Sequence, residues 1–195
     1  MGVESRPKLP FNNEGVPVSS ENQNNLSSQL KEKSKEIFGS EIFDYMVDDA
    51  QRAIDYVKTQ KGGVGLLDAL SNKQVLLVDD DKLLTSGEWA KFFLATGGHA
   101  DALITDNPTA EELISEIAER NPQVLLLDND LGSLYGHQLV PGLKRKAPAT
   151  TIIGHSAQGS VKEFERQGVA CAHKRTKESV YQVAQIVAKQ EEKKQ

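Results

Sequence analysis

One stretch near the middle of the chain, Val124-Leu125-Leu126-Leu127-Asp128-Asn129-Asp130-Leu131-Gly132, constrains the fold more than any other. Its apolar residues run directly into an acid. A continuous apolar run this short reads as a strand buried on both faces, as in a parallel sheet covered by helices. Asp128 then falls at the strand's carboxyl end, where open α/β sheets place their ligand crevice. The pattern occurs a second time upstream, in Val75-Leu76-Leu77-Val78-Asp79-Asp80-Asp81. Two such strands pointing the same way gather several carboxylates at one edge of the sheet.

The surrounding texture supports an alternating α/β fold. Strands are expected at 75–78, 100–104, 123–127, 150–154 and 169–172. Helices are expected at 83–95, 108–120, 138–146, 161–167 and 176–189, and the connections are short enough to require parallel crossovers. Gly97-Gly98 ends the first of these helices. Pro108 opens the second, with Thr109 and Glu112 near its start. The predicted architecture is a doubly wound five-stranded parallel sheet, flavodoxin-like with order 2-1-3-4-5, preceded by a helical extension.

That extension occupies residues 26–73. A helical pattern runs from Leu26 to Phe38 and stops at Gly39. Ser40 is placed to cap a second helix, 41–61, whose apolar residues Ile42, Phe43, Met46, Val47, Ala50, Ile54 and Val57 recur at three- and four-residue steps. Gly62-Gly63 ends it, and residues 64–73 read as a short helical turn into the first strand. The apolar stripe of 41–61 has two readings. It packs on the chain's own sheet domain, or it pairs with a twin or a partner. Residues 1–25, with Pro7, Pro10, Pro17 and many Asn and Ser, lack the apolar content for a core and are expected to be disordered. Residues 191–195 read as a solvated charged tail.

Composition removes several function classes. The 195 residues carry 23 Lys and Arg against 28 Asp and Glu, a net charge of −5, with no basic stripe to suggest nucleic-acid binding. The lone Cys171 excludes an internal disulfide and a cysteine-built zinc site. No apolar run approaches the ~20 residues of a membrane span. The amino terminus has no secretory apolar core, and Arg6 stands where a myristoylation signal wants Ser or Thr. A cytoplasmic protein is the expectation.

The strand ends carry the chemistry. Asp79 and Asp80 follow the first strand and Asp128 the third; His155-Ser156-Ala157 follows the fourth and His173-Lys174 the fifth. Carboxylates with a backbone carbonyl suit Mg²⁺, a hard cation that keeps several waters. A carboxylate also attacks phosphorus, forming an aspartyl phosphate, while a metal and an ammonium neutralise the transferring oxygens. The set has the parts for phosphoryl transfer to a carboxylate.

In this order of motifs the stretch from Gln74 to Lys189 resembles the receiver domain of two-component response regulators. The resemblance rests on an acid pair, a later Asp, a Ser followed by Ala, and a Lys, each at a predicted strand end. Gly136, eight residues past Asp128, falls where that family has a loop glycine. It implies Asp128 as phosphoacceptor and Asp79 and Asp80 as the acid pair holding Mg²⁺, with Asp128 itself and the backbone carbonyl of Asp130 completing the protein ligands. Ser156 becomes the switch hydroxyl and Lys174 the phosphoryl-binding cation. It further implies a histidine kinase or histidine phosphotransfer protein as donor, and an output protein that the sequence does not identify. Dimerisation would use the N-terminal helices or the face of helix 4, strand 5 and helix 5. The chain would signal by contact, not as an enzyme, without a C-terminal output domain.

Four departures accompany the resemblance. Arg175 replaces the proline that usually follows the lysine, and Gly132 replaces a proline after the phosphosite. Cys171 replaces the rotating aromatic, and the segment from Ser156 to Gly168 is about a turn short, which shortens the fourth helix. Two competing functions follow. One is a degenerate receiver that binds partners without phosphorylation. The other is a haloacid dehalogenase-like phosphatase, suggested by Asp128-Asn129-Asp130 but opposed by an acid pair that precedes Asp128.

Plainer roles remain for other residues. Asp81 reads as a helix N-cap, and Trp89, Phe92 and Phe93 as core. His155 and His173 read as strand-end histidines, since Mg²⁺ does not select imidazole. Cys171 reads as a small buried apolar residue, and Asp48-Asp49 as a solvated helix face.

Overall fold

A computed structural model describes residues 20–157 and 161–193, the first five of these as backbone alone. The chain begins with α1 (Ser20–Phe38), α2 (Asp44–Thr59) and α3 (Gly63–Leu70). Then follow β1 (Val75–Asp79), α4 (Lys82–Ala95), β2 (Ala100–Ile104), α5 (Ala110–Arg120) and β3 (Val124–Leu127). A small hairpin, β4 (Asp130–Leu131) and β5 (Leu134–Tyr135), leads into α6 (Gly136–Lys146). The remainder is β6 (Thr151–Ser156), α7 (Val161–Arg166), β7 (Ala170–His173) and α8 (Ser179–Glu192).

The five long strands form one parallel sheet in the order β2-β1-β3-β6-β7. Counting its strands alone, this is the expected 2-1-3-4-5. The apolar runs of β1 and β3 divide by parity between the two faces. Val75, Leu77, Val124 and Leu126 pack with α4 and α8, whereas Leu76, Val78, Leu125 and Leu127 pack with α5, α6 and α7. Helices cover both sides, which is why these strands are apolar at successive positions and do not alternate with polar residues.

The N-terminal helices join the first of these cores. Met46, Ala50, Ala53, Ile54 and Val57 of α2 are buried against α4 and α8, and Leu30 and Phe38 of α1 belong to the same cluster. The apolar stripe of α2 therefore packs within the chain. Helix α4 is enclosed between the sheet and α2. Trp89 and Phe92 are fully buried there, and the Trp89 indole N–H donates to the Ala100 carbonyl at 3.0 Å.

Local signals set most boundaries. Asp81 caps α4 by accepting from the Leu84 N–H, and Thr109 with Glu112 forms a capping box on α5. The expected cap at Ser40 does not form. Helix α2 begins at Asp44 after Phe43, which makes no side-chain cap. The Ile42 side chain is buried and its N–H donates to Ser34 Oγ, so tertiary packing holds 40–43 out of the helix. The last helix also starts later than expected, at Ser179 instead of Thr176, because residues 174–178 form a loop tied to α4. Residues 1–19 of the expected disordered stretch lie outside the described residues, as do 194–195 of the charged tail; from Ser20 the chain is helical. Among the described residues no helix is long and apolar enough to cross a membrane.

Candidate functional site

Parallel strands of similar length end together, so residues far apart in sequence meet at the carboxyl edge of the sheet. Asp79 is the last residue of β1, and Asp128 directly follows β3, its N–H still donating to the Val78 carbonyl at 3.0 Å. Lys174 directly follows β7, and its N–H donates to the carbonyl of Ser156, the last residue of β6. The Lys174 ammonium donates to Asp128 Oδ2 at 2.6 Å and to Asp79 Oδ2 at 2.9 Å. Asp80 adds a third, exposed carboxylate, and oxygens of Asp79, Asp80 and Asp128 lie within 4.8 Å of one another.

The two buried carboxylates each have the other oxygen held by a main-chain N–H. Asp79 Oδ1 accepts from the Asp81 N–H at 3.0 Å, and Asp128 Oδ1 from the Asn129 N–H at 2.7 Å. Burial acts to lower the Lys174 pKa, but the hydrogen bond to Asp128 and the charges of Asp79 and Asp128 outweigh it and hold the ammonium above the ordinary lysine value. Burial raises the Asp79 pKa; Lys174 opposes the rise, but its charge is shared between two acids, and Asp128 adds repulsion.

Five of the expected residues, Asp79, Asp80, Asp128, Ser156 and Lys174, thus reach one edge, with Ser156 buried at the end of β6. Asp130 differs. It is exposed at the start of β4, and its carboxylate does not join the cluster of three. Only its main chain remains for the role that the resemblance implies.

The loops explain two of the departures. Gly132, in the β4–β5 turn, has φ +73°, which the ring of proline forbids. Arg175 has φ +66°, and its N–H donates to Glu88 Oε1 at 2.9 Å; proline has neither that angle nor that donor. Helix α7 is short, with six residues, as expected. Cys171 is half-buried beside the second core, and burial with the Glu165 charge raises its thiol pKa to about 11.

Sequence reasoning missed the polar cluster behind this loop. Glu88 and Lys91, both buried, form an ion pair at 2.8 Å in the middle of α4. Asp49, expected on a solvated face, reaches Lys91 at 3.1 Å. His155, expected as a plain strand-end histidine, lies 3.3 Å from Glu88 Oε2. The available signal was two charges three positions apart, flanking Trp89 in a segment too apolar to be a surface helix.

No protein-family model matches the chain, and no curated protein does. Among solved structures, the receiver domain of a Francisella response regulator is 22% identical, with 61% of this chain and 99% of that one covered and a TM-score of 0.48. The receiver domain of AraT, a response regulator from Geobacillus stearothermophilus, is 20% identical, with 64% and 99% covered and a TM-score of 0.49. At such identities the likeness concerns fold alone. The sheet order, with helices on both faces, is a doubly wound flavodoxin-like α/β fold, with three helices ahead of its first strand among the described residues.

Proposed function

We propose that this chain is a response-regulator receiver that accepts a phosphoryl group on Asp128 and signals by contact with another protein. The observation that carries the reading is the Lys174 ammonium between Asp79 and Asp128, with Asp80 close by. Three carboxylates facing one ammonium leave two negative charges uncompensated, and every donor is a hard oxygen. That set fits Mg²⁺. Asp79, Asp80 and Asp128 would hold it, with the Asp130 carbonyl as a further ligand, and the bound ion would supply charge neutralisation at the phosphoryl oxygens.

The protein's own residues have distinct tasks. An Asp128 carboxylate oxygen attacks phosphorus in line with the leaving group; the new P–O bond forms as the donor's P–N or P–O bond breaks. A phosphohistidine of a kinase or phosphotransfer protein is the donor class. Asp79 remains fixed through the Asp81 N–H while Asp128 reacts. Lys174 exchanges its contact with Asp128 Oδ2 for a phosphoryl oxygen. The Ser156 hydroxyl then hydrogen-bonds the product, so that β6 and β7 register the change. The chain is an acceptor in this scheme, not a catalyst that turns over.

The test is incubation with acetyl phosphate or phosphoramidate, with Mg²⁺ or with EDTA, read by intact mass for wild type and Asp128→Asn. A single phosphoryl adduct that requires both Mg²⁺ and Asp128 is the expected result. No adduct on folded, Mg²⁺-supplied protein would overturn the reading in favour of a phosphorylation-independent binding module. Steady consumption of donor without accumulation of an adduct would point to a phosphatase.

A further inference from the structure

The carboxylate of Glu88 is almost wholly buried, 5% exposed, yet it touches none of the reacting groups. Its two oxygens divide the work. Oε1 accepts from the Arg175 N–H at 2.9 Å and from the Lys91 ammonium at 2.8 Å. Oε2 accepts from Ser179 Oγ at 3.0 Å and lies 3.3 Å from His155 Nε2, which is itself 2.9 Å from Ser179 Oγ. One side chain of α4 therefore holds both ends of the loop from Lys174 to α8, and also contacts the neighbour of Ser156.

The loop needs such a hold. Arg175 adopts a left-handed backbone that costs a non-glycine residue energy, and a hydrogen bond to a carboxylate offsets it. Other ties hold neighbouring residues of the loop. Lys174 is held through its N–H to the Ser156 carbonyl and through its ammonium to Asp79 and Asp128. His173 N–H donates to Gln182 Oε1 at 2.8 Å, Thr176 Oγ1 donates to the His173 carbonyl, and the Thr176 carbonyl accepts from the Ser179 N–H. None of these bonds takes up the Arg175 N–H. Burial pushes the Glu88 carboxyl upward, but the hydrogen bond and charge of His155 with the charge of Lys91 prevail and lower it to about 2, so it stays ionised.

We infer that Glu88 is a positioning residue for the phosphoryl site, fixing the Lys174–Arg175 turn and the end of β6 in the place of the loop-closing proline that this chain lacks. The inference rests on the receiver reading for its effect on phosphorylation, and on geometry alone for its effect on the loop. Lys91 extends the same support to Asp49 on α2.

The experiment compares full-length wild type, Glu88→Ala and Glu88→Gln. It measures amide hydrogen exchange across 173–179 and the rate of Mg²⁺-dependent phosphorylation by phosphoramidate. Glu88→Ala is expected to raise exchange in that segment and slow phosphorylation about tenfold, since small misplacements of charged groups are costly. Glu88→Gln should recover most of the rate, because its amide oxygen still accepts the Arg175 N–H. A folded Glu88→Ala with wild-type exchange and rate would overturn the inference, as would equal behaviour of the two variants. If Glu88→Ala does not fold, Ser179→Ala removes one of the Oε2 contacts; faster exchange at 173–179 supports the inference and unchanged exchange overturns it. If wild type takes no phosphoryl group, the receiver reading fails, and the exchange comparison by itself decides the role of Glu88.

Discussion

Lys174 and Asp128, 46 positions apart in sequence, meet at 2.6 Å in the buried edge of the sheet. The lysine is the sole ammonium that the described structure gives to Asp79 and Asp128. Removing it leaves two buried carboxylates facing each other. Lys174→Met is expected to cost about 3 kcal/mol in EDTA, because an uncompensated buried charge is far more costly than an exposed one. The loss should be smaller at pH 5 than at pH 8, since Asp79, already raised by burial, can take up a proton and relieve the repulsion. Urea denaturation at the two pH values checks both statements.

The acid limit of stability should trace to Glu88. Its carboxyl is held at about 2 in the folded protein against an ordinary 4.5. A lowered carboxyl contributes stability that is complete above the ordinary value and is lost as pH falls through the lowered one. The contribution is on the order of 3 kcal/mol. Melting temperature should therefore decline between pH 4.5 and pH 2. Glu88→Gln should flatten that decline while lowering the plateau at neutral pH. A profile identical to wild type would remove Glu88 from the account.

Gly136 is required by its closeness to the Asp128 main chain. A Cβ there would stand 1.9 Å from the Asp128 carbonyl oxygen and 3.1 Å from Leu127 Cγ. Gly136→Ala must displace the main chain at Asp128, at a cost of about 3 kcal/mol. Gly132→Ala meets no such contact and strains only a positive φ, costing about 1 kcal/mol. Thermal melts of the two variants should keep this order, and phosphorylation should suffer more in Gly136→Ala.

The N-terminal helices are part of the folding unit. Leu30 of α1 has no exposed surface and belongs to the core that contains Trp89 and Val183. Leu30→Ala should cost about 3 kcal/mol, the ordinary loss for a large apolar side chain in a packed interior. Unfolding should remain a single transition by circular dichroism and tryptophan fluorescence. An unchanged midpoint would mean that α1 is detached from the core in solution.

Much of this was legible before any coordinates. The apolar runs at 75–78 and 124–127 specified buried parallel strands, and the order of Asp79, Asp80, Asp128, Ser156 and Lys174 placed chemistry at their ends. Asp81 announced the start of α4 because capping is decided within three residues, whereas α5, expected to open at Pro108, begins at Ala110 after its Thr109 cap. Such signals are local, and local physics carries them. The α2 stripe showed that a face was buried but not against what, since an apolar stripe is the same whether its partner is this chain or another.

What tertiary structure alone decided is how the Lys174 loop closes. Glu88 meets Arg175 across 87 positions, and nothing within either segment marks the pairing. In sequence, Glu88 and Lys91 are opposite charges three positions apart beside Trp89, with nothing to show what covers them. They become a buried support only because α2 covers the outer side of α4, and for the same reason the half-exposed Asp49 of α2 reaches Lys91. The sequence by itself determined the strands, the sheet and the acids at its edge. The packing of α2 over α4 determined which charges lie in a low dielectric, and so which of them hold the site in place.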